Sequence, residues 1–367
     1  MNISDRHRLF VCTDFLMAGG IEYQTTELIK RLNGYECHVL CLYASRWGRS
    51  VHFANQLPHV QVLDLGHGPL SKIQAIWAII RAAWQLQPRL VYAVNYHSNL
   101  LTRLARPFLP RQTRLIGSVR NEYTAKQLRY ERWSHRLCDA VICNSPHIQT
   151  MLEAVMPHDK IHFIPNGVDM ERFARPVEAE WRQPLSSQRV LVNMGRIARQ
   201  KNQTLLATAM GRLQQQGRLT MQVVMVGEVE DTAMQAELDH LRTLYNLTDW
   251  LLQVAPTPTP EVYYQGADAT ILSSDYEGLP NVALESLAAG KPVIISDRAN
   301  ASGLIEDRVT GWVFRAGDAA SLAETLAYVS TLSAEALGAM QAACQQRAAE
   351  YAMPLMVARF ENLYRSL

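Results

Sequence analysis

The segment 269–297 of this 367-residue chain limits the possible folds more than any other. It begins with an apolar run, Ala269–Leu272, which is typical of a strand buried on both faces. A helix is predicted next, with Pro280 in its first turn and Gly290 as its left-handed C-cap. Residues 291–297 then form a second strand. This order predicts a parallel strand–helix–strand unit, because parallel strands need a long crossover connection.

The same alternation extends over most of the chain. Strand-like runs are predicted in the first half at 9–13, 37–43, 60–65, 90–94, 115–119 and 140–143, and a second series begins at 189. Alternating strands and helices predict an α/β fold with two Rossmann-like domains. We place these domains at 1–174 and 189–351, joined by a polar, proline-bearing linker at 175–188, with a last helix at 352–367.

Two carboxylates of the 269–297 segment are candidates for ligand binding. Glu277 is predicted in the loop at the carboxyl end of the strand, and Glu285 in the helix. Ligands of open parallel sheets bind outside the carboxyl ends of the strands. Carboxylates accept paired hydrogen bonds from neighbouring hydroxyls, which is how a sugar is oriented without a metal. Alternatively, Glu277 is a surface residue of the loop and Glu285 a residue of the solvated helix face, and neither binds a ligand.

The string EGLPNVALESLAAGKPVI closely resembles the signature of the family 4 glycosyltransferases, retaining enzymes with the GT-B fold. The resemblance implies two Rossmann-like domains that face an interdomain cleft, with the last helix crossing back to the N-terminal domain. It implies transfer of a sugar from a UDP- or GDP-linked donor to a hydroxyl acceptor. Glu277 then holds donor-sugar hydroxyls and Glu285 the ribose. Further donor-binding residues implied by the motif are Gly278, Leu279, Pro280 and Asn281.

Two cations precede this motif at a place suited to a leaving diphosphate. Arg196 and Lys201 follow a predicted strand and precede a helix, and they match the GR…KN element of the family. The resemblance assigns them to stabilising the charge of the leaving diphosphate. Arg199 is a competing candidate, and a solvated surface position is the alternative for all three. Since the chain contains no Asp-x-Asp, we expect neither a metal nor a cofactor, only the nucleotide sugar as co-substrate.

Gly19 and Gly20 lie between the first predicted strand and a helix at 21–32. Helix N-termini bind anions, but two glycines alone equally indicate a tight turn. By resemblance they match the GG loop of the family, which approaches the donor diphosphate or the acceptor. The dinucleotide fingerprint GxGxxG is absent, which argues against the rival hypothesis of a Rossmann oxidoreductase.

The acceptor side departs from the family pattern. Where many relatives have a histidine after an N-domain strand, this chain has Arg120 and Asn121, which are candidates to contact the donor or the acceptor instead. His97 is the remaining histidine candidate on the acceptor side, and a structural role is its alternative. A second departure is Gly303, at a position where relatives usually have a glutamate. These departures suggest an alternative function, a catalytically degenerate nucleotide-sugar-binding or scaffold protein.

A basic region extends from 103 to 136. It contains nine cations and two acids, Glu122 and Glu131, a net excess of seven positive charges (9 − 2). The cations are Arg103, Arg106, Arg111, Arg114, Arg120, Lys126, Arg129, Arg132 and Arg136. We expect contact with an anionic membrane surface; a lipid diphosphate acceptor and a solvated helix face are the alternatives. No nucleic-acid-binding motif accompanies the charge, so no nucleic-acid partner is expected.

The setting is inferred from what the sequence lacks. The six cysteines show no metal-ligand spacing and indicate buried thiols in a reducing compartment. We expect no signal peptide and no membrane span, because no apolar run reaches about 18 residues. The chain is therefore predicted to be cytoplasmic, and peripheral attachment to the inner face of the membrane is the further expectation. The resemblance points to bacterial surface polysaccharide or glycolipid assembly, with a glycan or lipid-linked acceptor.

Overall fold

The computed structural model describes residues 7–16, 19–43, 53–63, 65, 69–183, 185 and 189–367. The chain divides into two compact units. Unit 1 comprises Met1–Asn166 with Pro354–Leu367, and unit 2 comprises Gly167–Met353. The sequence-based boundary at 174 lies further along the chain. Residues just after 166 pack within unit 2, because the Phe173 ring lies 5.8 Å from that of Tyr264.

Unit 1 contains a parallel sheet of seven strands in the order β3-β2-β1-β4-β5-β6-β7. Its strands are β1 His7–Thr13, β2 Tyr35–Cys41, β3 Val60–Val62, β4 Leu90–Ala93, β5 Arg114–Val119, β6 Ala140–Cys143 and β7 Ile161–Phe163. Its helices are α1 Gly20–Arg31, α2 Pro69–Leu86, α3 Tyr96–Ala105, α4 Ala125–Ser134 and α5 Pro146–Glu153.

Unit 2 contains a parallel sheet of six strands in the order β10-β9-β8-β11-β12-β13. Its strands are β8 Arg189–Met194, β9 Met221–Val226, β10 Leu251–Val254, β11 Ala269–Leu272, β12 Val293–Ser296 and β13 Gly311–Phe314. Its helices are α6 Met170–Ala174, α7 Gln203–Gln215, α8 Thr232–Leu244, α9 Pro260–Gly266, α10 Asn281–Ala288, α11 Ala319–Thr331, α12 Ala334–Ala339 and α13 Gln341–Ala349. The last helix, α14 Met353–Ser366, falls almost entirely in unit 1.

Both sheets have the strand order of a Rossmann fold. In each, the order reverses beside the first strand, between β1 and β4 in unit 1 and between β8 and β11 in unit 2. Such a switch point opens a crevice at the carboxyl ends of the two strands, where ligands bind. The prediction of an α/β fold with two Rossmann-like sheets is confirmed.

The burial of the strands explains why these segments pair. Every residue of β4, β6 and β11 is buried, as expected for strands covered by helices on both faces. Helix α14 covers unit 1, with Phe360 fully buried and its ring 5.6 Å from that of Tyr92.

Local details around the predicted motif agree closely with the sequence. Helix α10 begins one residue after Pro280, which is its N-cap rather than its first residue. Gly290 follows the helix with a φ of +75°, the left-handed conformation predicted for it. In the described part of the predicted linker, Trp181 packs on unit 2, with its ring stacked 5.0 Å from that of Tyr263.

All six cysteines are buried and unpaired. Burial penalises the thiolate and so raises the pKa of Cys37, Cys41, Cys143 and Cys344 to about 12. The pKa values of Cys12 and Cys138 are raised for the same reason. The thiols therefore act as small apolar core side chains.

Candidate functional site

The loops after β8 and β11 are joined at the switch point of unit 2. Asn202 adopts a left-handed φ of +47° and caps α7, because its side chain accepts a hydrogen bond from the Leu205 amide at 3.2 Å. Its Nδ2 donates to Asp275 at 2.7 Å, and the Asp275 amide donates to the Gln200 carbonyl at 2.9 Å. These bonds fix the loop that carries Lys201 against the loop that carries Glu277.

Lys201 and Glu277 form an ion pair in this position. The distance from Lys201 Nζ to Glu277 Oε1 is 2.6 Å, and the two side chains retain 19% and 10% of their exposure. The Lys201 carbonyl accepts from Ser273 Oγ at 2.8 Å, and Gln200 Nε2 donates to the Tyr276 carbonyl at 2.9 Å. Thus a cation and a carboxylate, separated widely in the sequence, meet in a partly sheltered crevice where each remains reachable from solvent.

The other two candidate cations are directed elsewhere. Arg196 forms an ion pair with Glu230, and its carbonyl accepts from Gln203 Nε2 at 2.8 Å. The side chain of Arg199 is 80% exposed and lies 3.9 Å from Asp231. The structure therefore pairs Lys201 with Glu277. Arg196 and Arg199 belong to the same loop but face Glu230 and Asp231.

The segment between the two glutamates forms the start of α10 and the loop before it. Leu279 is 5% exposed and Pro280 is buried, so they anchor the loop in the core of unit 2. The Pro280 carbonyl accepts from the Ala283 and Leu284 amides at 3.1 and 3.2 Å. Proline provides no side-chain acceptor, and the N-terminus of this eight-residue helix carries the positive end of its dipole. Gly278 and Asn281 flank that end, which favours anionic ligand groups.

Glu285 lies on α10 in a different environment from that of Glu277. Burial raises the pKa of its carboxyl to about 7, although the Tyr264 hydroxyl, which donates to it at 2.8 Å, and the charge of Arg172 lower it. Arg172 is itself held by Glu261 at 2.7 and 3.0 Å. Burial and the neighbouring carboxylate raise the pKa of Tyr264 well above its usual value. Glu285 is thus a partly buried hydrogen-bond acceptor whose carboxyl has a pKa near neutral pH.

In unit 1, Gly19 and Gly20 lie at the start of α1. Gly19 is the N-cap, with an extended φ of −143°, so its conformation does not require glycine. A Cβ at Gly19 would overlap a carboxylate oxygen of Glu22, which folds back over the helix start and is 6% exposed. A side chain at position 19 would therefore require only that the Glu22 carboxylate move, and in this structure that carboxylate occupies the N-terminus of α1.

His97 is paired with a residue that the sequence motifs did not mark. Asp14 follows β1 directly and is 2% exposed. Its Oδ1 accepts from the Ser98 amide at 2.6 Å, and its Oδ2 accepts from the His97 amide at 3.2 Å and lies 3.3 Å from His97 Nδ1. The carboxylate holds the start of α3 and orients the imidazole, whose side chain is 39% exposed. The position of an acidic residue directly after the first strand was the sequence signal that could have identified Asp14.

Arg120 is an interior residue, 5% exposed. Its guanidinium donates to Ser118 Oγ at 3.0 Å, Asn166 Oδ1 at 2.9 Å and the Tyr92 hydroxyl at 2.9 Å. Asn121, the next residue, is exposed. The structure therefore separates the three acceptor-side candidates, since Arg120 is engaged inside unit 1, Asn121 faces solvent and His97 stands at the switch point.

Gly303, the second departure from the family pattern, occupies a turn with a φ of +67°. Arg347 Nη2 donates to its carbonyl at 2.8 Å. A side chain here is strained by the left-handed backbone, although no atom obstructs a Cβ. The left-handed backbone of this turn therefore explains why glycine occupies position 303.

The basic region is only partly available on the surface. Arg103 is 2% exposed and pairs with Glu131 at 2.7 Å, while Arg106 and Arg114 both pair with Asp139. With Arg120 also buried, the net charge counted from the sequence overstates what the surface presents. The exposed cations are Arg111, Lys126, Arg129, Arg132, Arg136 and Arg114, whose side chain remains 50% exposed although it pairs with Asp139.

Two absences hold for the described residues. None of the helices there is long and apolar enough to cross a membrane. Over the same residues, no three histidine, cysteine or acidic side chains are grouped as metal ligands would be.

Comparison with known proteins gives two family matches. The model of glycosyl transferases group 1 matches residues 178–350, and that of glycosyltransferase family 4 matches residues 18–172. The amylovoran biosynthesis glycosyltransferase AmsK of Erwinia amylovora is 29% identical over 196 residues, 51% of this chain and 46% of that protein. The alpha-monoglucosyldiacylglycerol synthase of Streptococcus pneumoniae is 28% identical over 186 residues, 48% of this chain and 41% of that protein. The chain spans about half the length of the relatives it matches.

Solved structures match over almost the whole chain. Anabaena Alr3699/HepE, in complex with UDP and glucose, superposes with a TM-score of 0.85 at 18% identity, covering 99% of this chain and 100% of that one. A sucrose-phosphate synthase from Thermosynechococcus elongatus gives a TM-score of 0.82 at 18% identity, covering 98% and 99%. At this identity the similarity establishes the fold, which is GT-B.

Proposed function

Because the chain belongs to the group 1 and family 4 glycosyltransferases, we propose that it moves a sugar, with retention, from a nucleoside diphosphate sugar to an acceptor hydroxyl. The Lys201–Glu277 ion pair at the switch point of unit 2 carries the proposal. A sugar diphosphate needs a cation for its phosphates and a carboxylate for its hydroxyls. Lys201 and Glu277 supply these two groups at hydrogen-bonding distance from each other.

Donor binding rearranges this pair. The diphosphate takes Lys201 Nζ, and the sugar hydroxyls take the Glu277 carboxylate, so each partner exchanges an ion pair for a hydrogen bond to the donor. When the bond between the anomeric carbon and the diphosphate oxygen breaks, the electron pair stays with the departing diphosphate, and Lys201 stabilises the charge that forms there. The acceptor oxygen bonds to the anomeric carbon on the same face, and its proton passes to the departing phosphate. No group of the chain is assigned as a nucleophile or general base.

Arg196 and the start of α10 support the same role. Arg196 is paired with Glu230 near the same loop, and its long side chain reaches a diphosphate by leaving that partner. The helix N-terminus after Pro280 adds partial positive charge without a metal ion. We therefore propose a metal-independent transfer, in which Lys201, Arg196 and the helix dipole neutralise the leaving group.

Glu285 is proposed to hold the ribose of the donor. Its carboxyl accepts from Tyr264 on one side and is partly buried, which suits recognition of two neighbouring hydroxyls. Since its pKa is about 7, it presents a full carboxylate only above neutrality.

The substrates are proposed from the relatives. Anabaena Alr3699/HepE has also been solved in complex with UDP-glucose, which makes a UDP-sugar the first donor to test, with GDP-sugars next. Relatives are named for amylovoran synthesis and for a glucosyl diacylglycerol, which supports a glycan or lipid-linked acceptor in polysaccharide or glycolipid assembly. On the acceptor side we propose His97, together with contact between an anionic cytoplasmic membrane face and the exposed cations of the basic region.

The test is saturation-transfer NMR with a panel of UDP- and GDP-sugars, with and without EDTA, followed by measurement of nucleotide release. We expect selective binding that EDTA leaves unchanged and that Glu277→Ala and Lys201→Met weaken. Glu237→Ala, an exposed glutamate of α8, is the matched control and should bind like the unmodified chain. Binding that ignores both site variants refutes the proposed site, whereas binding without any turnover identifies a degenerate scaffold.

A further inference from the structure

Helix α2 exposes a line of large apolar side chains. Leu70, Ile73, Trp77 and Trp84 retain 72%, 54%, 68% and 57% of their exposure. Successive helical residues are rotated by about 100°, so these four side chains fall within an arc of about 60°. Two tryptophans, a leucine and an isoleucine thus form one continuous stripe rather than scattered exposed residues.

The opposite side of α2 already packs against the sheet. Ala75, Ile79 and Ala83 are fully buried and belong to the core of unit 1 together with Leu101 of α3. The core requires apolar residues only on that side, and a surface helix normally has polar residues on the other. The exposed stripe is therefore not explained by the packing of the described residues.

The stripe continues onto the segment after α3. Phe108 is 62% exposed, and its carbonyl accepts from Trp84 Nε1 at 2.9 Å, which fixes this turn beside the helix. Gln112 Nε2 donates to Gln87 Oε1 at 2.7 Å and holds the next turn against the end of α2. Together, Leu70, Ile73, Trp77, Trp84 and Phe108 make up what we call the docking face.

The charges around the docking face have one sign. Helix α2 contains Lys72 and Arg81 and no acidic residue, and Arg111 is exposed in the turn beside its end. Within the described part of the chain, no carboxylate forms an ion pair with any of these three cations. A second copy of the chain docking through the same face would bring like charges together, which disfavours a symmetric dimer.

We propose that the docking face seats unit 1 on a lipid bilayer with anionic headgroups. Tryptophan favours the boundary between headgroups and acyl chains, where its apolar ring and its polar N–H group are both accommodated. Leucine, isoleucine and phenylalanine favour the apolar side of that boundary. Arg81, which lies about 20° from the stripe around α2, and Arg111 attract the anionic surface, and the stripe inserts its side chains a short distance into the boundary. The proposal goes beyond sugar transfer and does not depend on it.

The decisive experiment is co-flotation of the full chain, without donor, with vesicles of phosphatidylcholine alone or mixed with phosphatidylglycerol. We expect binding to the mixed vesicles, and at least a tenfold weaker partition for the double variant Leu70→Gln/Trp77→Gln. Leu244→Gln, which removes an exposed leucine of α8 that is 57% exposed, is the matched control and should bind normally. Equal loss in the control, or no loss in the double variant, overturns the proposal.

The charge component is tested separately. Arg81→Gln should weaken partition to mixed vesicles about fivefold at low salt, and less at high salt, whereas Arg218→Gln in unit 2 should not. Equal binding to neutral and mixed vesicles overturns the anionic assignment. A concentration-dependent dimer that Trp77→Gln abolishes, without vesicle binding, shows that a second copy covers the face instead. Donor binding by NMR should be unchanged in Leu70→Gln/Trp77→Gln, so this test and that of the transferase site fail independently.

Discussion

The two switch points have the same strand order but use their polar residues differently. In unit 2, Lys201 and Glu277 pair with each other in a crevice that solvent still reaches. In unit 1, Asp14 is buried as a cap for α3, and Arg120 is buried among neutral partners. The pair in unit 2 is accessible to a ligand, whereas in unit 1 the partly exposed side chain at the switch point is that of His97, which Asp14 orients.

The difference separates residues that bind from residues that hold the binding groups in place. A motif of charged residues at a sheet edge is compatible with either role, and burial decides between them. Charged groups that satisfy one another near solvent can be recruited by a substrate, whereas a buried charge with several internal bonds is costly to release. The comparison predicts effects on catalysis in unit 2 and on stability in unit 1.

The largest expected effect is on catalysis in unit 2. Lys201→Met should lower kcat by about 10²- to 10³-fold, because the charged group proposed to stabilise the leaving diphosphate is lost. Measurement of donor hydrolysis and transfer checks this, with Arg218→Met as a matched loss of an exposed cation in the same unit. A kcat within about threefold of the unmodified enzyme would assign Lys201 to structure and remove the contrast between the units.

The second prediction concerns the interior of unit 1. Arg120→Met should destabilise the fold by about 3 kcal/mol or more, because three buried acceptors lose a charged donor. Arg111→Met, at an exposed arginine nearby in sequence, should change stability by less than about 0.5 kcal/mol. Urea unfolding monitored by circular dichroism measures both. A stable Arg120→Met variant that loses activity would place Arg120 in the binding site after all.

The third prediction uses the raised pKa of Glu285, about 7 against an ordinary value of 4.5. Between these values the folded chain binds a proton that the unfolded chain releases, so stability falls as pH rises from about 4.5 to about 7 and stays lower above that. The loss amounts to about 3 kcal/mol for a shift of this size. Urea unfolding from pH 5 to pH 8 should show this slope, and Glu285→Gln should remove it.

The exposed Glu324 of α11 provides the control for this measurement. Glu324→Gln should leave the pH slope unchanged. Over the same range the KM for the donor should decrease as pH rises through about 7, because the carboxylate accepts hydroxyl hydrogen bonds better than the neutral acid. A slope that persists in Glu285→Gln would assign the titration to another group.

The smallest expected effect belongs to His97. His97→Gln should raise the KM for the acceptor about tenfold while donor hydrolysis stays unchanged, the loss expected for about one hydrogen bond. His158→Gln, a histidine of unit 1 that is 74% exposed, is the control. If donor hydrolysis falls together with acceptor KM, His97 acts on the donor, and the division of roles between the two units needs revision.

The fold was largely predictable because its strands are apolar and short. Ala140–Cys143 was predicted with the bounds that the structure shows, and the strand predicted from Ala269 to Ser273 ends one residue earlier, at Leu272. Helices α3 and α4 were missed because polar residues take several buried positions of α3, among them Ser98, Asn99 and Arg103, and because α4 consists mainly of polar residues. Tertiary packing, which sequence periodicity does not report, determines such helices.

The site was predictable only in part. The motif marked Lys201 and Glu277, but their separation of 2.6 Å depends on the bonds from Asn202 to Asp275 and from Ser273 to Lys201. The Tyr264 hydroxyl that donates to Glu285 left no signal in the sequence, because α9 must first pack on α10. Burial of Arg120 was equally invisible, since nothing in the local sequence distinguishes an interior arginine from a surface one.

Because its six thiols are buried, the folded protein should react slowly with thiol reagents. A maleimide reacts with thiolates, and all six cysteines are shielded, with pKa values raised by burial. A single cysteine introduced on the surface, for example at the exposed Gln74 of α2, should therefore be labelled selectively in the folded chain without removing a residue of the core or of the docking face. A polarity-sensitive dye attached there would report the transfer of the docking face from water to the membrane surface.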